Sequence, residues 1–467
     1  MSGAAPPVRD RVLRSRRVVT PDRDGPACVV VRAGRIAALE PWDAPLEVTD
    51  ELGELALLPG LVDTHVHVNE PGRTEWEGFR TATRAALAGG VTTIVDMPLN
   101  SVPATTTAAA LRAKVSAMAG KLHADVGLWG GVVPGNAGEL AALAAAGALG
   151  FKCFLAPSGV DEFAHVTEAD LRLAMPEIAR LELPLLVHAE DPDRLRPLPA
   201  PTRRYADWLA SRPPEAEASA IRTVGRLADE FGVHVHVVHV ASRAAVEAVA
   251  ACRLEGAGGA PGGWISAETC PHYLLFAAEE IAEGATAFKC APPIRGAAER
   301  LALARAVGGH LDLVASDHSP APANLKDLEG GDFAKAWGGI ASLEFSLAAA
   351  WTALREHAAM PLSMLPVYLS SGPARLAGLE ARKGAIAVGL DADLIAFDPE
   401  AWWTPRAGAL QQRHPVSPYL GRTLRGRVRA TWLRGEPVWN GRNVVGEPRG
   451  RWLRPGGEAV DPAQAFA

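Results

Sequence analysis

From Leu58 onward, short runs rich in Val, Ile and Leu alternate with Ala-rich stretches of helical period, and this alternation limits the available folds more than any other feature. Eight runs stand out: "LVDTHVHV", "VTTIVDMP", "ADVGLWGGV", "GFKCFL", "PLLVHAE", "VHVHVVHV", "GWISAETCP" and "LDLVASDHSP". Between them, "PEAEASAIRTVGRLADEFG" places Ile221, Val224, Leu227, Ala228 and Phe231 on one helical face. Strands alternating with helices define an α/β chain. Eight of them suit a (β/α)8 barrel better than an open sheet, with a doubly wound sheet as the other arrangement. The two ends of the chain read differently. "PACVVVRAGRIAALEP" near the start, and "KGAIAVGLDADLIAFDP" with "RVRATWLRGEPVW" near the end, are strands and turns. The expected organisation is a barrel over residues 58–379, with 1–57 and 380–467 pairing into one small β domain beside it.

Composition narrows the function classes. The 467 residues are 48% apolar and 21% charged with a net charge of −6, so no basic field calls for nucleic acid or an anionic membrane. No apolar run reaches the roughly 18 residues of a membrane span. "MSGAAPPVRDRVLRSRR" lacks the apolar centre of a secretory signal, and its arginines leave a transit peptide as the weaker alternative. Cys28, Cys153, Cys252, Cys270 and Cys290 are odd in number and form no CxxC pair. Reduced thiols in a cytoplasmic compartment are expected. "EGAGGAPGG" has no P-loop lysine and reads as a surface loop.

Five of the eight strands carry a metal-capable or acid–base residue at or near their ends. His65 and His67 close the first, Lys152 lies in the fourth, His188 ends the fifth, His239 the sixth and Asp317 the eighth. In a barrel these ends converge on one mouth, where catalytic groups of that fold sit. Period-two alternation puts His65 and His67 on the face of Asp63, and His239 with Val233, Val235 and Val237 inside the barrel. On that reading His234 and His236 point toward the helices, and Cys153 faces outward as packing. Each residue taken singly has a plainer reading. A strand histidine is usually a satisfied core residue, Asp317 in "SDHSP" can cap a turn, and His318 falls on the opposite parity as a structural residue. The coincidence of five strand ends favours metal.

Lys152 is the residue hardest to place, because its strand is apolar on both sides and burying an isolated ammonium is costly. Four imidazoles and one carboxylate can hold two divalent ions but offer no anion to bridge them, and a two-metal site spaces its ions ~3.5–4 Å apart. Desolvation lowers a lysine pKa. The free amine then combines with carbon dioxide to give a carbamate, a carboxylate on a long stem with one oxygen for each metal. The alternative is an ammonium that reaches solvent at the strand end.

The motifs "PGLVDTHVHVNEPG", "GFKCFLA", "LVHAED", "HVVHVAS", "ETCPHYL", "KCAPPIR" and "VASDHSP" resemble the cyclic amidohydrolases of the amidohydrolase superfamily, which include dihydroorotases, hydantoinases and allantoinases. "NEPGRTEWEGF", "DMPLNS" and "AWGGIASLE" are most similar to the allantoinase branch. The likeness covers nearly the whole chain. It implies a distorted barrel with a β-sandwich, and a binuclear centre in which Lys152 is an N6-carboxylysine. One metal would take His65, His67, Lys152 and Asp317, and the other Lys152, His188 and His239. Zn2+ is the expected ion, with Co2+, Mn2+ or Fe2+ as alternatives. The implied chemistry is metal-assisted opening of a cyclic amide, with Asp317 taking a proton from the attacking water and passing it to the leaving nitrogen. A homotetramer is expected. Members that have become non-catalytic assembly proteins lose such ligands, and all six positions are intact here.

The resemblance also bears on the ring. Dihydroorotases carry an arginine at the position of Asn69, where a guanidinium forks onto the substrate carboxylate. A neutral amide suits a ureido tail instead, which points to allantoin and to purine-nitrogen breakdown. Hydantoinase or dihydropyrimidinase activity stands second, and Asn69 bonding only to backbone is the competing reading of that residue. By resemblance alone, backbone around Gly338 and Gly339 and in "CAPPIR" is expected to hold the ring, with Ser319, two residues after Asp317, as a further contact.

Overall fold

The computed structural model describes residues 10–256 and 264–466. All but the first two residues of the Gly-rich segment 255–263, and the start of the Arg-rich N-terminus, lie outside the described residues. The chain opens with four strands, β1 (Arg11–Val19), β2 (Asp24–Arg32), β3 (Arg35–Glu40) and β4 (Asp50–Pro59). A parallel series follows: β5 (Leu61–Val66), β6 (Val91–Asp96), β7 (Asp125–Leu128), β8 (Gly130–Gly131), β9 (Phe151–Phe154), β10 (Leu185–His188), β11 (Val235–Val237), β12 (Ile265–Thr269) and β13 (Leu313–Val314). Each of the eight apolar runs contains at least one of these strands. The chain ends with β14 (Leu394–Trp403), β15 (Leu424–Leu433), β16 (Glu436–Trp439), β17 (Trp452–Leu453) and β18 (Ala459–Val460).

The fold is a distorted (β/α)8 barrel. Its third strand is broken at Trp129, so β5-β6-β7 and β8-β9-β10-β11-β12-β13 are hydrogen-bonded as two separate runs. The ring closes at the mouth through single residues rather than a full ladder. The His67 N–H donates to the His318 carbonyl at 2.7 Å, and the His318 N–H donates to the His65 carbonyl at 3.2 Å. Side chains of Val95, Trp129, Leu149, Leu186, Val238 and Leu313 belong to the inner cluster. Trp129 is fully buried, and its indole N–H reaches the Thr64 carbonyl at 2.8 Å. Outside, the helix Pro214–Phe231 shows why the sequence period works. Proline at its first positions is pre-set for helix, and Ile221, Val224, Leu227 and Ala228 are buried against the strands. Each such branched residue contributes about 1.5–3 kcal/mol on burial. Gly232, at φ 67°, then ends the helix in a left-handed conformation.

The terminal strands form one seven-stranded sheet of order β16-β15-β14-β4-β1-β2-β3, with its own apolar cluster including Leu13, Val29, Leu57, Leu394 and Trp432. The last strands leave that sheet, and Trp452 in β17 pairs with Val126 in β7 of the barrel. A buried charge cluster also joins the two parts. The Lys383 ammonium lies 2.6 Å from both Asp125 and Asp393 and 3.0 Å from Asp391, and Arg434 adds a second cation on Asp125. These three carboxylates lie close enough together to hold an ion, but Lys383 already occupies that electrostatic role.

Candidate active site

The short strands deliver their chemistry to one mouth. His65 stands in β5 and His67 just beyond it, Lys152 in β9, His188 at the end of β10, and His239 and Asp317 on the irregular residues after β11 and β13. Asp317 Oδ1 is 3.2 Å from His65 Nε2 and 3.6 Å from His67 Nε2. His188 Nδ1 is 3.0 Å from His239 Nε2, and the His65 and His239 rings are 5.4 Å apart. His239 and Asp317 have φ of 43° and 45°, and Asn69 and Asn100 have 66° and 69°. A left-handed conformation costs an ordinary residue about 1–2 kcal/mol. Its concentration at this mouth marks strain held by the surrounding structure.

Buried carboxylates fix which nitrogen each histidine presents. Glu268 Oε1 accepts from His65 Nδ1 at 2.5 Å, and Glu190 Oε2 accepts from His188 Nε2 at 2.8 Å. His65 therefore offers the Nε2 lone pair and His188 the Nδ1 lone pair, both toward the site. Burial lowers the pKa of His67, His188 and His239, which favours the neutral imidazole that a metal requires. Burial works to raise the pKa of Asp317, but His65 and His67 outweigh it and hold the carboxyl below its ordinary range. Lys152 has no exposed surface, and its Nζ has no hydrogen-bond partner among the described residues. Burial pushes its pKa down to about 8 against the opposing pull of Glu268.

These observations test whether metal fits. Nδ1 of His239 is buried without a partner, while its Nε2 faces the His188 lone pair. Either tautomer of His239 leaves one nitrogen unmatched; a cation taking both facing lone pairs accounts for the close approach of His239 Nε2 to His188 Nδ1, with the His239 Nδ1–H left as an unpartnered donor. Together with the partnerless Lys152 amine and the convergence of His65, His67 and Asp317, the donor set fits divalent cations. Cys270 and His272 approach Asp317 as a further buried group, and neither ring nitrogen of His272 has a partner.

A cavity of about 350 Å³ opens over this cluster. His65, His67, His188, His239 and Asp317 line it, as do Ser319, Gly338 and Gly339. Gly339 needs to be glycine: its φ is 156°, and a Cβ there would lie 2.4 Å from the Ser319 carbonyl oxygen. Asn69 is not brought to the wall. It is buried, and its amide donates to the Pro320 carbonyl at 3.4 Å.

One alternation reading is overturned. His236 does not face the helices: it lies in register with Leu186 of the inner cluster and donates to Glu268 at 3.0 Å. Val235 and Val237 instead join the outer core. The phase was set from His239, but β11 ends at Val237, and the positive φ at His239 breaks period two before that residue. Cys153 does pack outward. His318 is structural: its Nδ1 accepts from the N–H groups of Ser342 and Leu343.

Sequence reasoning passed over Glu268, Glu190, Arg212, Asn100, Trp208 and Lys289. The first two carried a signal, a carboxylate inside the apolar strand "ISAET" and one two residues after His188. Arg212 lies on Glu190 at 2.6 Å, while Asn100, Trp208 and Lys289 line the cavity from loops and helices remote in sequence. Because Glu268 orients His65, Glu268→Gln is expected to lower metal affinity about 10–100-fold. Competition with a chelator measures it, and an unchanged affinity would show that His65 needs no such support.

Comparisons with known proteins bear on what this site does. The model of the amidohydrolase family matches residues 56–196 and 208–438. The chain is 49% identical to an allantoinase of Streptomyces avermitilis over 449 residues, covering 95% of this chain and 98% of that one. It is 40% identical to the allantoinase of Arabidopsis thaliana, covering 91% and 87%. Among solved structures, an L-hydantoinase (dihydropyrimidinase) from Arthrobacter aurescens superposes with a TM-score of 0.87 at 30% identity, covering 95% of this chain and 99% of that one.

Proposed function

This chain belongs to the amidohydrolase family, and on that premise we propose that it opens the hydantoin ring of allantoin by hydrolysis, giving allantoate. The observation that carries the chemistry is the convergence of His65, His67, His188, His239 and Asp317 on one cavity, with the Lys152 amine fully buried in β9 and without a hydrogen-bond partner among the described residues. The substrate is supported by the relatives named as allantoinases, which match over nearly the full length of this chain.

His65, His67, Lys152 and Asp317 would hold one ion and Lys152, His188 and His239 the other, with Lys152 as its carbamate. When bound, two divalent cations, which we assign as Zn2+, polarise the ring carbonyl and acidify a water. The protein's own part is positional and acid–base. Asp317 is ionised and accepts the proton of the attacking water. It returns that proton to the ring nitrogen as the carbon–nitrogen bond breaks, which regenerates the carboxylate, and the water's second proton is released to solvent as the new carboxyl group of allantoate ionises. Ser319, Gly338 and Gly339 border the space left for the ring. We assign catalysis to residues 58–379, and residues 1–57 with 380–467 to the supporting β domain, whose last strands, from Trp452, reach back onto the barrel sheet. A homotetramer rests on family resemblance, and a cytoplasmic location on five buried free cysteines. No described helix is long and apolar enough to cross a membrane.

One observation favours an acidic ring as competitor. Asn69 leaves no guanidinium at its position, but the Lys289 ammonium is at the cavity wall, where it donates to the Ala336 carbonyl at 2.6 Å. Arg212, by contrast, is already matched by Glu190. The test is kcat/KM for allantoin, dihydroorotate and a 5-alkyl hydantoin on one metal-loaded preparation. Allantoin is expected to lead both, because a site built around a polar tail is left unsatisfied by a ring without one. A competitor that equals or exceeds allantoin removes the substrate assignment.

A further inference from the structure

Lys326 is 2% exposed and forms no ion pair among the described residues. Its three N–H donors meet three backbone carbonyls: Gly339 at 2.7 Å, Trp337 at 2.9 Å and Lys289 at 3.2 Å. An ammonium has three donors and no acceptor, so this set satisfies the protonated form completely, against a burial that pushes its pKa down to about 7. Burying a cation against carbonyl dipoles alone is nonetheless an expensive way to stabilise a loop, since an apolar side chain of like volume would do so without desolvating a charge. The arrangement calls for a consequence that an apolar residue could not supply.

That consequence follows from peptide geometry. In a trans peptide the carbonyl and the next residue's N–H point in opposite directions. A lysine that draws the carbonyls of Lys289 and Trp337 to one side turns the N–H groups of Cys290 and Gly338 to the other. Cys290 and Gly338 both line the cavity, and neither N–H has an acceptor among the described residues. The two strips of chain are also tied to each other, because the Gly339 N–H donates to the Lys289 carbonyl at 2.8 Å. We propose that Lys326 is a positioning residue for substrate recognition: by gathering three carbonyls behind the cavity wall, it aims the Cys290 and Gly338 N–H groups at the carbonyl oxygens of the cyclic substrate. This deepens the functional reading above and rests on it.

Lys326→Met removes all three bonds while keeping most of the volume. In metal-loaded enzyme the variant is expected to raise KM for allantoin at least about tenfold, the equivalent of ~1.4 kcal/mol of lost orientation. Metal content should be unchanged and kcat should move less than KM. Lys326→Gln, which keeps two donors, should fall between the variant and the parent. A residue that only stabilised the fold would lower the melting temperature and the active fraction with KM unmoved, and that result overturns the proposal. Should neither variant fold, amide hydrogen exchange on the unmutated enzyme decides. Saturation with hydantoin is expected to slow exchange in peptides spanning 289–291 and 337–340, and absence of protection there overturns the proposal. Allantoin turnover by the parent tests the functional reading separately. If the parent opens another cyclic amide instead, that reading falls and the KM comparison is made with that amide.

Discussion

Replacing Lys152 with alanine is expected to abolish detectable turnover and to release most of the bound metal. The reason lies in the charge balance of the site. In the proposed site four imidazoles and the carboxylate of Asp317 would face two cations, and among the described residues Asp317 is the one carboxylate lining the cavity. The Lys152 amine has no hydrogen-bond partner among the described residues and a pKa pushed down to about 8 by burial, so a useful fraction is unprotonated near neutral pH and able to add carbon dioxide. The amine nitrogen bonds to the carbon of carbon dioxide and loses one proton, leaving a carbamate anion. The fold should survive the substitution. Truncating a large buried side chain costs about 2–5 kcal/mol in packing, but removing a buried ionisable group relieves desolvation in the opposite sense. Metal analysis, thermal melting and intact mass under non-acidic conditions check this together. The parent should carry the added mass of one carbon dioxide and the variant should not. A variant that keeps full metal and activity would remove the bridging role.

Asp317→Asn is expected to reduce kcat by at least ~10²-fold, the lower range for loss of a general acid–base group. Asparagine is the informative replacement, because Asp317 sits at φ 45°, a left-handed conformation that asparagine tolerates better than most residues. Alanine there would add backbone strain to the chemical loss and blur the result. The amide keeps the size of the carboxyl but cannot take up a proton from water near neutral pH. A melting temperature close to the parent's, with kcat depressed and some metal retained, separates loss of proton transfer from loss of structure. Near-normal kcat would place the proton transfer on another group, with His272 the first to examine, since it is buried beside Asp317 and both its ring nitrogens lack partners.

The sequence by itself determined the class of fold, because the alternation of apolar runs with helical faces is a local property of the chain. Each of the eight runs contains strand, and the Pro214–Phe231 helix buries Ile221, Val224, Leu227 and Ala228 of the face its period predicts, with Phe231 half-buried at its end. It also named the side chains that meet at the mouth, since strand ends in a barrel converge whatever lies between them. Tertiary structure alone decided matters that depend on irregular backbone or on contacts across long separations. Period two holds only while a strand lasts. The positive φ at His239 therefore reversed the expected phase, and His236 turned inward to Glu268. Asn69 is named from its spacing after His67; the structure shows a left-handed residue whose amide donates to the Pro320 carbonyl, the backbone-bonded alternative, which no sequence pattern distinguishes from a substrate contact. Glu268 and Glu190 carry a signal in the sequence, but what the site's supports meet was not legible, for a different reason. Glu268 meets His65 across 203 residues, and Lys326 exerts its hold through backbone carbonyls, which every residue possesses and no sequence pattern distinguishes.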